Sequence, residues 1–147
     1  DGKGRFSPQP LAGCGPLVLR ASAAADLDGD GDLDIVALGV EGPVRVFRND
    51  APRGDASHWL RVRLQDQGGN RDALGATLVA VAGAKRWSAE IRTAGGFQAA
   101  CPAEAHFGLG AAKQLDELRV RWPDGAEQTW RDVAVDRVLV LTRETPK

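Results

Sequence analysis

The chain has 147 residues, a formal net charge of −1, 43% hydrophobic residues and 27% charged residues. That balance supports a packed core and argues against both a disordered chain and a broadly basic nucleic-acid-binding domain. No apolar run approaches the roughly 18–20 residues of a membrane-spanning helix, and 18 glycines with 8 prolines supply the many turns of an all-β chain.

Residues 1–13 read as turn and loop, and the chain opens at Asp1-Gly-Lys-Gly-Arg-Phe6 with no secretory signal, as a mature or truncated end would. Leu17–Leu19 and Ala21–Ala25 are strand candidates leading into Asp26-Leu-Asp-Gly-Asp-Gly-Asp-Leu-Asp34. Carboxylates at every second position of one tight loop repel one another unless they close around a hard cation. Ca2+ accepts six to eight oxygens at about 2.3–2.6 Å in flexible geometry, which suits such a loop. Side-chain ligation is assigned to Asp26, Asp28, Asp30 and Asp34, and a backbone carbonyl to Asp32. Gly29 and Gly31 let the chain fold back without a Cβ clash. An EF-hand is excluded, because its twelfth position demands Glu and Ala37 stands there, inside an apolar, strand-like run. The bland alternative is a solvated acidic turn.

Asp34–Leu38 and Val44–Arg48 then read as a hairpin around Glu41-Gly-Pro43. Residues 51–57 form a linker rich in turn formers. It contains Arg53-Gly54-Asp55, a tripeptide that adhesive proteins present to integrins but one too short to define a site. From His58 the alternation is clear, with Leu60, Val62 and Leu64 on one face and Trp59, Arg61 and Arg63 on the other. Gly75–Ala82 is nearly apolar throughout and reads as a strand buried on both faces. Lys85–Thr93 alternates again, and Gly95-Gly96 reads as a turn. Further strands are expected at Leu118–Trp122, Glu127–Val133 and Val138–Thr142, with a lone helical turn around Ala111–Leu115. Short strands at such spacing point to a sandwich or barrel.

Few residues suggest catalysis. Ser57 or Ser88 could be combined with His106 and Asp72, but no nucleophile elbow supports the arrangement. His106 is expected to be a partly buried, hydrogen-bonded histidine and His58 a surface or interface residue. Two distant His and two distant Cys form no zinc cluster. Cys14 and Cys101 allow either one long-range disulfide or two buried thiols. Arg61, Arg63, Arg119 and Arg121 could form an outward anion- or glycan-facing strip; the alternative is a solvated face balanced by Glu117, Glu127 and Asp132.

Two resemblances organise these observations. Residues 26–34, with Ile35-Val36 and Phe47-Arg-Asn-Asp50, resemble the calcium-binding repeat of FG-GAP/VCBS proteins. That likeness implies a β-propeller blade with Ca2+ in the loop between two strands. Asn70-Arg-Asp-Ala-Leu-Gly-Ala76, His106-Phe-Gly-Leu-Gly110 and Val120-Arg-Trp-Pro-Asp-Gly125 together resemble the ASPIC/UnbV domain, which follows such repeats in the cartilage acidic protein-like family. Asn70 and Arg71 are the candidates for a family-specific ligand contact.

The expectation is therefore an all-β chain: a repeat segment with its Ca2+ loop (1–50), a linker (51–57), and an ASPIC/UnbV-like β-sandwich or barrel (58–147). The function expected is calcium-stabilised extracellular or periplasmic recognition and adhesion without catalysis, within a larger secreted protein. Partners expected are a protein or a glycan, upstream propeller blades, or another chain, with no nucleic acid and no membrane span. The alternatives are an enzyme or biosynthetic accessory domain with its site in the sandwich, and a structural cap of a propeller.

Overall fold

A computed structural model describes residue 5, residues 7–8, 18–52, 54 and 57–144. Cys14, Arg53 and Asp55 lie outside the described residues, and with them the disulfide and the integrin tripeptide.

Among the described residues twelve strands follow one another: β1 (Leu19–Ala25), β2 (Asp34–Gly39), β3 (Arg45–Phe47), β4 (His58–Gln65), β5 (Thr77–Ala82), β6 (Lys85–Glu90), β7 (Ala94–Gly96), β8 (Ala99–Ala100), β9 (Ala105–Gly110), β10 (Gln114–Arg121), β11 (Glu127–Ala134) and β12 (Arg137–Thr142). The described residues contain no helix. The helical turn expected around Ala111–Leu115 is instead a turn after Gly110, whose φ of 58° ends β9, and a direct entry into β10.

The second half is two sheets over one core. A four-stranded sheet, β11-β10-β5-β6, faces a three-stranded sheet, β12-β4-β9, and no closed barrel forms among the described residues. The alternation read from the sequence sets the inward faces: Leu60, Val62, Leu78, Ala80, Leu118, Val120 and Trp122 are 0–1% exposed. The last strand, β12, runs parallel to β4 with Val138 beside Arg61, so the end of the chain closes the sheet that His58 begins. One hydrophobic cluster, drawn from residues 60–141, holds both sheets.

Two local expectations are corrected. Gly95-Gly96 lies within β7, and the turn falls one step later at Phe97-Gln98, where Gln98 takes the left-handed φ of 51°. β5 is buried on one face only: Leu78 and Ala80 enter the core, while Thr77 and Val79 line a cleft.

The first half is a separate antiparallel sheet, β1-β2-β3. Its sole buried hydrophobic residue is Ala37, while Val18, Val40, Val44 and Val46 are more than half exposed. This sheet therefore lacks a core of its own among the described residues. A cleft of about 860 Å3 separates it from the sandwich, bordered by Ser22, Ala24, Ile35, Val79, Ser88 and His106.

Candidate metal centre

Asp26 directly follows β1 and Asp34 opens β2 opposite Ala25, so both carboxylates stand at the base of the loop. Both are buried, at 8% and 2% exposure, and both organise the backbone. Asp26 Oδ1 accepts from Gly29 N at 2.7 Å and Oδ2 from Gly31 N at 2.9 Å. Asp34 Oδ2 accepts from Leu27 N at 2.9 Å and Oδ1 from Asn49 N at 2.8 Å, which ties the exit of β3 back to the loop. Gly29 and Gly31 take φ of 81° and 97°, the left-handed region that the tight reversal requires.

Asp26, Asp28 and Asp34 each offer a carboxylate oxygen within 4.8 Å of the others. Each carboxylate oxygen has about two acceptor sites, so Asp26 Oδ1 and both oxygens of Asp34 keep room beside the amides they already accept. Asp28 is exposed and accepts from Asp30 N at 3.3 Å. The set is all oxygen with no nitrogen or sulfur, a donor chemistry suited to a hard cation. Asp30 and Asp32 stand outside this group of three. Asp30 Oδ1 accepts from Asp32 N at 2.9 Å, and Asp32 is half-buried.

The loop is seated on the outer face of the sheet β12-β4-β9. Arg61 Nη1 lies 3.0 Å from Asp26 Oδ2 and donates to the Asp26 carbonyl at 3.0 Å. His106, directly opposite Arg61 across the β4–β9 ladder, places Nε2 2.8 Å from the Gly31 carbonyl. Trp59 sits opposite Gly108 in the same ladder, and its indole covers Gly31. Alternation gives Arg61 an outward position, in a ligand-facing strip or on a solvated face; at 8% exposure it is instead buried beneath the loop. Nor is there one strip. Arg61 and Arg63 belong to one sheet, Arg119 and Arg121 to the other, and the outward faces of a sandwich point apart. Arg63 pairs with Glu104 at 2.8 Å, and Arg119 pairs with Glu117. Alternation alone could not find the Arg61 contact, because its partner lies 35 residues earlier on another sheet.

The remaining candidates fall elsewhere. Asn70 accepts from Leu74 N and donates to the Leu74 carbonyl, both at 2.9 Å, while Arg71 beside it is exposed. His58 is half-buried and pairs through Nδ1 with Asp136 Oδ2 at 2.7 Å. Ser88 and His106 border the same cleft, but the His106 imidazole is engaged with Gly31. Cys101 is a half-buried free thiol against Gly95.

The fold is thus an all-β sandwich carrying a small acidic-loop sheet on one outer face. The chain belongs to the ASPIC and UnbV family, whose model matches residues 66–147. It is similar to "Cartilage acidic protein 1" of Mus musculus, at 38% identity over 106 residues, covering 68% of this chain and 16% of that protein. The Xenopus tropicalis protein of the same name is 38% identical over 109 residues, covering 70% of this chain and 16% of its own length. The Homo sapiens protein matches at 38% over 106 residues, covering 68% and 15%. The chain thus spans about 16% of the length of the curated relatives it matches.

The family motifs acquire physical roles in this fold. In the segment from Asn70 to Ala76, the Asn70 amide clamps a turn in which Ala73 and Gly75 take φ of 50° and 87°, and Ala73 and Ala76 are fully buried. In the segment from His106 to Gly110, Phe107 and Leu109 enter the core while His106 faces the acidic loop. Trp122 is buried, donates from Nε1 to Gln128 at 2.8 Å, and begins a turn closed by Gly125 at φ 91°.

Proposed function

We propose that the chain is a calcium-stabilised, extracellular, non-catalytic recognition module within a larger secreted protein. In this reading the first sheet is an FG-GAP/VCBS-type repeat segment of propeller-blade kind, and residues 58–147 form the recognition sandwich. Asp26, Asp28 and Asp34 would hold Ca2+, with Asp30 and the Asp32 carbonyl completing the shell. The ion would neutralise the loop and, by mass action, stabilise the fold whenever its concentration exceeds the dissociation constant.

The observation that carries this reading is the meeting of three carboxylates, two of them buried, on a loop whose backbone they also organise. Buried like charges are costly unless compensated, and a divalent cation is the natural compensation. Relatives named for cartilage, a tissue with an extracellular matrix, favour secretion. Millimolar extracellular Ca2+ would fill such a site without high intrinsic affinity. A second reading, in which the first sheet caps a propeller, draws on the exposure of Val18, Val40, Val44 and Val46.

The test is thermal unfolding with millimolar Ca2+ and with excess EGTA, for the wild type and Asp28→Ala. Asp28 is exposed, so its loss leaves the backbone-organising carboxylates in place. A Ca2+-dependent rise in midpoint that disappears in the variant supports the reading. Equal midpoints in all four samples would reduce the loop to an acidic turn.

A further inference from the structure

The two halves of the chain meet on either side of a cleft. On one side the β7–β8 hairpin reaches the first sheet, with Arg20 Nε donating to Gln98 at 3.4 Å and stacking 5.7 Å from the Phe97 ring centroid. On the other side the acidic loop rests on Trp59, Arg61 and His106. Between these points lies the 860 Å3 cleft. The seating of the first sheet therefore depends on the loop that carries the candidate metal ligands.

Arg61 stands at the centre of that contact. Its side chain is 10% exposed and its Nη1 lies 3.0 Å from Asp26 Oδ2, on a carboxylate with no exposure at all. On its far side Nε lies 3.8 Å from Glu104 Oε1, and this buried Nε has no hydrogen-bond partner. Glu104 in turn holds Arg63. The guanidinium thus stands between Asp26 of the loop and a carboxylate at the entry to β9, bonded through Nη1 to the first and without a hydrogen bond from Nε to the second.

We infer that cation occupancy of the Asp26–Asp34 loop and the seating of the first sheet on the sandwich form one coupled equilibrium, with Arg61 as the positioning residue that carries the coupling. The inference rests on the calcium reading above. A divalent cation drawing electron density from Asp26 Oδ1 changes the pull of Oδ2 on Nη1. It also fixes Gly31, whose carbonyl meets His106 and whose α-carbon lies beneath Trp59. By linkage, whatever the cation adds to the seating, the seating adds to the cation's affinity. Arg61 also supplies one positive charge to the loop without an ion, so its loss makes the loop more dependent on the cation.

Amide hydrogen exchange read by mass spectrometry tests this, with Ca2+ as the probe and EGTA as the reference, on the wild type, Arg61→Gln and Arg61→Lys. Far-UV circular dichroism checks that each variant is folded. In 5-fluorotryptophan-labelled protein, the Trp59 resonance, assigned with Trp59→Phe, reports the seating independently. In the wild type, Ca2+ is expected to slow exchange in residues 27–33 and also in residues 104–108, each by about fivefold or more, the lower end of ordinary coupling. It is also expected to shift the Trp59 resonance. In Arg61→Gln the loop still responds, but residues 104–108 and Trp59 no longer do; Arg61→Lys restores part of the response. A response at residues 104–108 and Trp59 that survives in Arg61→Gln overturns the assignment to Arg61. A wild-type loop that slows without any response at residues 104–108 overturns the coupling and leaves the calcium reading standing. No slowing in the wild-type loop overturns both.

Discussion

Gly31 lies against the indole of Trp59 so closely that a Cβ at position 31 would fall 2.2 Å from Nε1. The contact joins the acidic loop between β1 and β2 to β4 of the sandwich and fixes how the two meet. Gly31 also holds φ of 97°, a conformation that L side chains rarely adopt. Gly31→Ala is therefore expected to incur two costs, about 1 kcal/mol or more for the backbone and a displaced Trp59. The two can be separated by a double-mutant cycle with Trp59→Ala, read by urea unfolding. In the Trp59→Ala background the added cost of Gly31→Ala should shrink towards the backbone contribution alone. Equal costs in both backgrounds would show that the indole yields freely.

Asn70 illustrates a motif residue whose side chain is fully occupied by its own loop. Both ends of its side-chain amide bond Leu74, and its backbone carbonyl accepts from Ala73 N at 2.9 Å. Asn70→Ala should cost about 1–2 kcal/mol, because two hydrogen bonds and the left-handed turn at Ala73 depend on it. Asn70→Asp, which keeps the acceptor and loses the donor, should cost less. Arg71→Ala should change stability by less than about 0.5 kcal/mol, as expected for an exposed side chain. Chemical denaturation of the three variants would therefore separate the clamp from any ligand contact made by Arg71.

Much of the sandwich was legible because alternation in a half-buried strand directly encodes facing. Leu60, Val62 and Leu64, and later Leu118, Val120 and Trp122, announce their burial by period alone. That carboxylates crowd into one tight loop was legible for a related reason, since alternate acidic positions between two strands bring Asp26, Asp28 and Asp34 together. What failed depended on contacts that local pattern does not carry. Arg61 alternates as an outward residue, and it is outward from the sandwich core, but another sheet lies on that side. Gly95-Gly96 carries a local turn signal, yet the reversal falls at Phe97-Gln98 because Gly96 pairs with Ala99 of β8. The one-sided burial of β5 was hidden because apolar side chains that line a cleft and those that enter a core look alike in sequence.

Arg143 closes the far edge of the sandwich and makes stability there dependent on pH. Its guanidinium donates to Asp66 at 2.9 Å and to Asp124, and lies 5.4 Å from the Trp122 ring centroid. The hydrogen bonds from Arg143 hold both carboxyls below the ordinary carboxylate range. A carboxyl depressed in the folded state contributes stability above its unfolded pKa of about 3.9, and that contribution is lost as pH falls through the lower folded value. Arg143→Gln should therefore lower Tm by a constant amount above about pH 5, and the gap should narrow as pH falls below about 4. A remainder from the lost Trp122 contact should persist in acid. A gap independent of pH would assign the whole effect of Arg143 to packing.

The unequal distribution of core between the two halves leads to a contrast in mutational sensitivity. Leu60 is fully buried among residues of both sandwich sheets, whereas Val46 of β3 is 59% exposed. Leu60→Ala should cost about 2–5 kcal/mol through lost transfer energy and the cavity left behind. Val46→Ala in this chain should cost less than about 0.5 kcal/mol, since a solvent-facing valine makes few contacts to lose. The comparison becomes sharper in a longer protein in which something covers the first sheet. There, burying the Val46 side chain would raise the cost of its truncation towards the 1.5–3 kcal/mol range of a buried aliphatic residue. Measuring Val46→Ala by denaturation in this chain and in a longer version shows whether that face is solvated or is an interface. An unchanged small cost would mean that the exposed valines of the first sheet remain in water.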